Sequence, residues 1–537
     1  MRALCYRAWA AGLCLGAVAW AGCNVHVHVL EASSGSPCAA TVNPANTSQP
    51  TEVVGDGTMG SCTEEALNTA LETGGIIRFR CGASPLTIPV TAEKVIVHDT
   101  VLDGGSTITL DGGGTSRLFV VGAPGGSPVS LTLQYLTLQG GHAAVTPASA
   151  GGPATTGGGA ILQFGGALMI TDSVLRDNDA SATGPDELGG AVCSLGGRLV
   201  IARTVLEGNR AGSGGAVAAI RTELTLLRSQ LMNNQAVGQG TGAEGLGGAL
   251  LVSQEGQSVG MCQVTLSGNQ ASTFGTAMHL QGTGVELMTI EQAAILNNQS
   301  SSLSGGGSAL FLGIVTARLS SVTVAGNQGD ETPGVWVNGG TQVAQAATIH
   351  FSNVTIAENR VHQHADPSKD GVGGALWIDG VVHGELVNCT LAGNLSEFGS
   401  GIVHPGQLVV RNTIISNQGT NVGNPQNCSD LAPAMVAAMG GPVLQWPIES
   451  LDSYLCVADA TLADPLLGSL QDNGGFAPTM MPAPTSPAVG AGLDCPATDA
   501  RGHARTPRCT LGAVEADGTA GNCPSCSVAD AAQSDAQ

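Results

Sequence analysis

The densest gathering of side chains able to hold a metal is His362-x-His364-x-Asp366, with Asp370 close behind. Alternate residues of an extended strand share a face, so three of these groups could converge on one cation. The surrounding VHQHADPSKDG is polar and contains Pro367, which reads as a solvated loop. Asp172, Asp177, Asp179 and Asp186 could gather calcium in a loop, but solvated carboxylates are the default reading. Cys523-Pro-Ser-Cys526 is half a zinc motif without a second ligand pair. Ordinary glycoside hydrolysis requires an acid/base pair of carboxyl groups, and none stands out. Trp377-Ile378-Asp379-Gly380 reads as an aromatic packing on a strand face followed by an Asp-Gly turn. No catalytic residue, cofactor or metal ligand is therefore expected.

What must position any site is an internal repeat. Nine times between Gly157 and Gln418 the chain runs through a glycine pair with a small apolar residue, alternating hydrophobic pairs and an asparagine. The clearest copies begin GGGAILQF at Gly157, GGAVCSLG at Gly189 and GGAVAAIR at Gly214. The closing residues are Asn178, Asn209, Asn234, Asn269, Asn298, Asn327, Asn359, Asn394 and Asn417, spaced by 23 to 35 residues. Three and eight places before them stand large apolar groups, such as Leu175 and Ile170, Leu206 and Ile201, Leu231 and Leu226, or Ile356 and Phe351. The alternation is that of strands. A unit this short cannot bury its own apolar face and must stack on its neighbours. Stacked in parallel, the repeats make a β-helix with the asparagines as an amide ladder at one turn and the glycines at another. Leu131–Gly141 fits the same register with Gly141 in the asparagine place. A helical solenoid is disfavoured by 79 glycines and the lack of a long amphipathic stripe.

The chain has 537 residues, a formal charge of −22 and only 11% charged residues. Two lysines, Lys94 and Lys369, and scattered arginines argue against a nucleic-acid partner. At the start, Arg2 and Arg7 precede a short apolar run, the pattern of an export signal. Two processing readings compete. Ala19-Trp20-Ala21 fits an A-x-A cleavage site, whereas Ala21-Gly22-Cys23 resembles a bacterial lipobox and would make Cys23 the lipidated residue. Ser33–Pro50 reads as a tether.

Export permits disulfides. Beyond the signal the cysteines concentrate near the ends, at Cys38, Cys62, Cys81, Cys428, Cys456, Cys495, Cys509, Cys523 and Cys526. Cys193, Cys262 and Cys389 fall inside the repeats, where they read as core or turn residues. One pairing consistent with this distribution is Cys62–Cys81, Cys428–Cys456 and Cys495–Cys509, with connectivity left open by sequence.

Three stretches carry family resemblances. Ser61–Leu71 followed by Gly74–Gly82 resembles the amino-terminal cap of bacterial secreted β-helix proteins, an amphipathic helix shielding the first coil's edge. The GGA-[Ile/Val/Leu] repeats are similar to those of polymorphic outer membrane proteins, within the broader pectin-lyase-like right-handed β-helix class. Asp472-Asn473-Gly474-Gly475, Ser486–Gly492, Thr498–Gly502 and Leu511–Glu515 look like a choice-of-anchor Q domain, which implies a module closing the helix. Leu376–Gly380 resembles the WIDH segment of pectate lyases, with glycine in place of the histidine. A polygalacturonase resemblance would need an Asp-Asp, a Gly-His-Gly and an Arg-x-Lys. Here His142 and His503 are each followed by alanine, and neither lysine fits.

The expected architecture is all-β, a single-stranded right-handed parallel β-helix of about eleven coils with an N-terminal cap and a C-terminal closing module. The expected boundaries are a signal peptide over 1–22, a flexible tether over 23–52, the cap and first coils over 53–121, the repeats over 122–425, the closing module over 426–516 and a polar tail over 517–537. The inserts 143–157, 180–189, 236–247 and 361–373 all fall between an asparagine and the next glycine pair, and would line one edge. Loops on a rigid scaffold commonly carry recognition. The expected function is a monomeric binding or adhesion scaffold, at the outer membrane or cell surface or else extracellular, held by an N-terminal lipid. Its partner would be a surface glycan or another envelope protein. The alternatives are a polysaccharide-active lyase or glycosidase and a structural envelope component.

Overall fold

The computed structural model describes residues 36–516 except 144–156, 181–186, 239–244, 302–305, 343–345, 363–370, 372, 397–398, 404–406, 418–426, 430–440, 447–454 and 458. One repeat shows how the coil is made. Val192–Leu195 lies on a first face, Arg198–Ala202 and Val205–Glu207 on a second, and Arg210–Ala211 on a third. Each segment pairs in parallel with its counterparts one coil before and one coil after. Among the described residues this yields sheets of 12, 22 and 7 strands. The chain is an all-β parallel β-helix.

The turns explain the repeat. In each glycine pair the two residues answer different demands. Gly189, Gly214 and Gly247 have φ of 67°, 64° and 65°, the left-handed region that costs a residue with a Cβ about 1–2 kcal/mol. Gly190 and Gly215 are short of space instead, since a Cβ on them would lie 2.2 and 2.0 Å from the carbonyls of Gly215 and Gly248 in the next coil. The residue before each of the first eight asparagines is also left-handed. Asp177, Gly208, Asn233, Gly268, Asn297, Gly326, Glu358 and Gly393 all have φ between 54° and 66°, which accounts for the recurrent Gly-Asn and Asn-Asn dipeptides.

Inside, equivalent residues stack. Leu138, Leu175, Leu206, Leu231, Leu266, Ile295, Val324, Ile356 and Leu391 are register partners along the second face and all are fully buried. Each contributes about 1.5–3 kcal/mol of transfer free energy, collected only when the next coil is in place.

At the amino end, helix Glu64–Thr73 buries Leu67, Ala70 and Leu71. The Thr63 hydroxyl accepts from the Ala66 amide, and Glu64 and Glu65 sit in the first turn, where the helix dipole favours them. Of the stretch expected as a tether, residues 36–52 are described. Residues 36–51 run as a strap along the outside of the second face, because the strap's apolar groups meet an apolar outer patch. Cys38, Ala40 and Val42 pack on Ala202, Leu227 and Cys262. Arg203 donates to the Val42 carbonyl at 2.8 Å, Gln134 accepts from the Ala45 amide at 2.7 Å, and Thr51 N–H donates to the Ile76 carbonyl at 2.7 Å.

The expected closing module divides in two. Val443–Trp446 and Thr461–Leu462 add strands to the second face, and Cys456 and Val457 join the core. Residues 463–516 then fold back along the side of the solenoid. Thr323 donates to Pro478 O at 2.8 Å, Asn353 to Thr498 O at 2.9 Å and Asn412 to Leu493 O at 2.6 Å. The buried pairs Arg501–Asp499 at 2.8 Å and Arg505–Glu515 at 3.0 Å hold this segment's loops.

Candidate functional site

The nine asparagines come together as one buried ladder. The backbone N–H and side-chain Nδ2 of each donate to the Oδ1 of the next, as Asn234 does to Asn269 at 3.0 Å each. Nδ2 also donates across the coil, from Asn269 to the Leu231 carbonyl at 2.9 Å. The carbonyl used belongs to the apolar residue three places before the preceding asparagine. Gly141 supplies only an amide, donating to Asn178 Oδ1 at 2.9 Å. A Cβ there would lie 2.3 Å from Gly159 O. The ladder runs one residue further than the repeats suggest, because Asn427 Oδ1 accepts from Asn417 N at 2.8 Å. The short spacing of ten residues hid it from sequence comparison. From Asn178 to Asn394 both side-chain amide hydrogens are engaged within the fold, so the ladder is a structural element.

Among the cysteines, Cys62–Cys81, Cys428–Cys456 and Cys495–Cys509 are joined. A fourth bond, Cys38–Cys262, spans 224 residues. Cys262 is therefore not a core or turn substitute. It points outward from its strand and staples the strap. Cys193 and Cys389 are free and buried, and burial pushes both thiols up to about 12. Cys23, Cys523 and Cys526 lie outside the described residues.

The residues with metal-ligand spacing are described only in part. His364, Asp366, Asp370 and Asp186 lie outside the described residues, as do the central parts of the inserts. His362 Nδ1 faces Asp330 Oδ1 at 2.9 Å. Asp172 is bidentate to Arg203 at 2.7 and 2.8 Å, and Asp179 lies 3.8 Å from Arg210. Among the described residues no three His, Cys, Asp or Glu side chains are arranged to share an ion.

Two outer surfaces carry chemistry that the sequence left scattered. On the first face, His279, Phe311, Trp336 and Trp377 are register partners on successive coils. Their rings form a column: His279 stacks on Phe311 at 4.4 Å, Phe311 meets Trp336 edge-on at 5.3 Å, and Trp336 stacks on Trp377 at 4.3 Å. Phe274, from the connection between the third and first faces, packs on Trp336 at 4.9 Å. Burial holds His279 down at about 3, so it is neutral. Its Nδ1 and the Trp336 Nε1 are buried without a hydrogen-bond partner. Two residues further along each strand a polar row follows, Gln281, Gly313, Asn338 and Asp379, in which Asn338 Nδ2 donates to Asp379 at 3.2 Å. Repeat alignment hides both rows, because a given coil contributes a single outward aromatic.

On the second face, Arg318, His350 and Glu385 are outward register partners on three coils. His350 Nδ1 lies 3.4 Å from Glu385 Oε1, and Arg411 Nη2 lies 3.6 Å from Glu385 Oε2. The His350 hydrogen bond, opposed by partial burial and helped by the Arg411 charge, holds the Glu385 carboxyl below the usual range.

The fold is that of parallel β-helix proteins, an architecture and not an activity. No protein-family model matches the chain, and no curated protein matches it.

Proposed function

We propose that the protein is a non-catalytic binding scaffold of the cell surface whose ligand is a surface glycan, engaged along the insert-bearing edge and the neighbouring outer surface of the first face. The observation that carries this reading is the aromatic column His279–Phe311–Trp336–Trp377 beside the polar row Gln281–Asn338–Asp379. Sugar rings present an apolar face and a rim of hydroxyls. A half-buried tryptophan next to amide and carboxylate groups complements both. The inserts precede the glycine pairs that open this face in sequence, and loops on a rigid scaffold commonly carry recognition. Export and an N-terminal lipid on Cys23 belong to the same reading, since a scaffold of this kind must be displayed.

A glycan array probed with the full chain tests it. Binding to a defined glycan set is expected, weakened about tenfold by Trp377→Ala. Incubation with a polysaccharide panel should release neither reducing ends nor unsaturated products. Turnover abolished by Asp379→Ala would replace the binding reading with the lyase or glycosidase alternative. Mass spectrometry of the mature amino terminus should show a lipid-modified Cys23, and an unmodified Gly22 start would reject the lipid.

A further inference from the structure

A second outer surface, separate from the aromatic column, lies on the second face between Leu287 and Arg411. Five coils present three outward rows there. Leu287, Thr316, Thr348 and His383 form one; Thr289, Arg318, His350, Glu385 and Val409 the next; Glu291, Ser320, Ser352, Val387 and Arg411 the third. At the usual strand spacing the surface is roughly 20 Å long. The strap bounds it on one side, where Ser36 bonds Glu291. The folded-back C-terminal segment bounds it on the other, where Arg411 Nη1 donates to Asp494 O at 3.3 Å.

This surface does not share the acidity of the molecule, since its two arginines balance its two glutamates. In a chain of formal charge −22, the central rows hold Arg318, Arg411, His350 and His383 against Glu385, with Glu291 at the strap end. Glu385 is already engaged by His350 and Arg411. Arg318 forms no ion pair or hydrogen bond with any described residue, although it is half-buried. His350, with Nδ1 turned to Glu385, has a buried Nε2 without a partner. A buried polar atom left unpaired is destabilising, and nothing in the coil's own packing requires an arginine or histidine at an outward position. Long-range repulsion from the acidic remainder is screened beyond about 8 Å at physiological salt, so the local pattern decides what binds.

We infer that this surface binds an acidic polysaccharide, with the Arg318 guanidinium receiving the acid group and His350 Nε2 hydrogen-bonding a ring hydroxyl. Guanidinium pairs with carboxylate and sulfate alike. A ring hydroxyl can donate to or accept from Nε2, whichever tautomer His350 adopts toward Glu385. The threonine and serine hydroxyls of Thr289, Thr316, Thr348, Ser320 and Ser352 continue the same pattern along the coils, which fits an extended chain of sugars better than a single small anion.

The test is a titration of the full chain, in one buffer, with alginate as the carboxylated polymer, dextran sulfate as the sulfated one and plain dextran as the neutral control. Binding to alginate or to dextran sulfate is expected, and which of them binds identifies the acid group; dextran should not bind. Arg318→Gln should weaken binding about tenfold, and Thr348→Glu, which adds a carboxylate at a half-buried outward position, should weaken it at least as much. Glu385→Gln keeps the acceptor for His350 and removes a competing charge, so affinity should rise several-fold; in a purely structural ion cluster the same change would only lower the unfolding midpoint. Trp377→Ala should leave acidic-polymer binding unchanged, which separates this site from the aromatic column. The inference is overturned if neither acidic polymer binds, if dextran binds equally, or if Arg318→Gln binds like the wild type.

Discussion

Asn269→Asp replaces one side chain in the middle of the ladder by a group of the same size, so packing is held constant and the hydrogen bonds alone are tested. In the wild type, Nδ2 donates to Leu231 O and to Asn298 Oδ1, both at 2.9 Å. Oδ1 accepts from the backbone and side-chain nitrogens of Asn234, both at 3.0 Å. The aspartate keeps the two accepted bonds, loses both donated ones and sets an oxygen against two acceptors in a site with no solvent exposure. Two lost bonds plus a buried, uncompensated charge amount to about 3–5 kcal/mol at pH 7. Burial and facing acceptors raise the carboxyl's pKa, and the protonated acid can donate one bond again. The deficit relative to wild type should therefore shrink by about half as the pH is lowered toward 4. Asn269→Ala behaves differently. It also removes the acceptor for the Asn234 amide, costs about 3–5 kcal/mol, and its deficit should not vary with pH. Denaturant unfolding of the three proteins at several pH values, with hydrogen exchange of the Asn234 amide as a local readout, distinguishes them. An aspartate variant within 1 kcal/mol of wild type at pH 7, or a deficit constant with pH, would refute the reasoning.

His279 stays neutral in the folded chain down to about pH 3 because it is buried, whereas in the unfolded chain it takes a proton near 6.5. The unfolded state thus binds more protons in that window, and stability falls as pH drops, by about 3 kcal/mol at pH 4. His279→Phe should remove this loss, and unfolding curves at pH 7 and 4 check it. Glu64 is held at about 2: burial raises it, but hydrogen bonds from Lys94 and Thr91 and the Lys94 charge prevail. Its stabilisation, about 2 kcal/mol after allowing for partial exposure, is present above about pH 4.5 and lost as the pH falls toward 2. Glu64→Gln should accordingly be destabilising at pH 7 and neutral at pH 2. Cys38–Cys262 closes a loop of 224 residues, worth about 5 kcal/mol in the chain-entropy account. Cys38→Ser should lower the unfolding midpoint and increase hydrogen exchange around Leu227, and an unchanged midpoint would mean that the strap is held by its hydrogen bonds alone.

The repeat made the coil legible because its causes are local. A left-handed turn favours glycine, asparagine or aspartate, and a buried row favours leucine, isoleucine or valine, so both leave a mark at a fixed distance from most of the asparagines. Helix Glu64–Thr73 was legible for the same reason, through Thr63 and the spacing of Leu67, Ala70 and Leu71. What the tertiary structure decided lies on the outside of the coil. Outward positions are not constrained by the repeat, so His279, Phe311, Trp336 and Trp377 look unrelated until stacking sets them one strand apart. The same holds for Arg318, His350, Glu385 and Arg411. Cys38 and Cys262 could not be paired by inspection, because nothing between them in sequence indicates that the chain's first described segment lies across coils formed two hundred residues later. A solenoid writes its interior into every repeat, while its surface exists only once the repeats are stacked, and it is on that surface that both proposed binding sites lie.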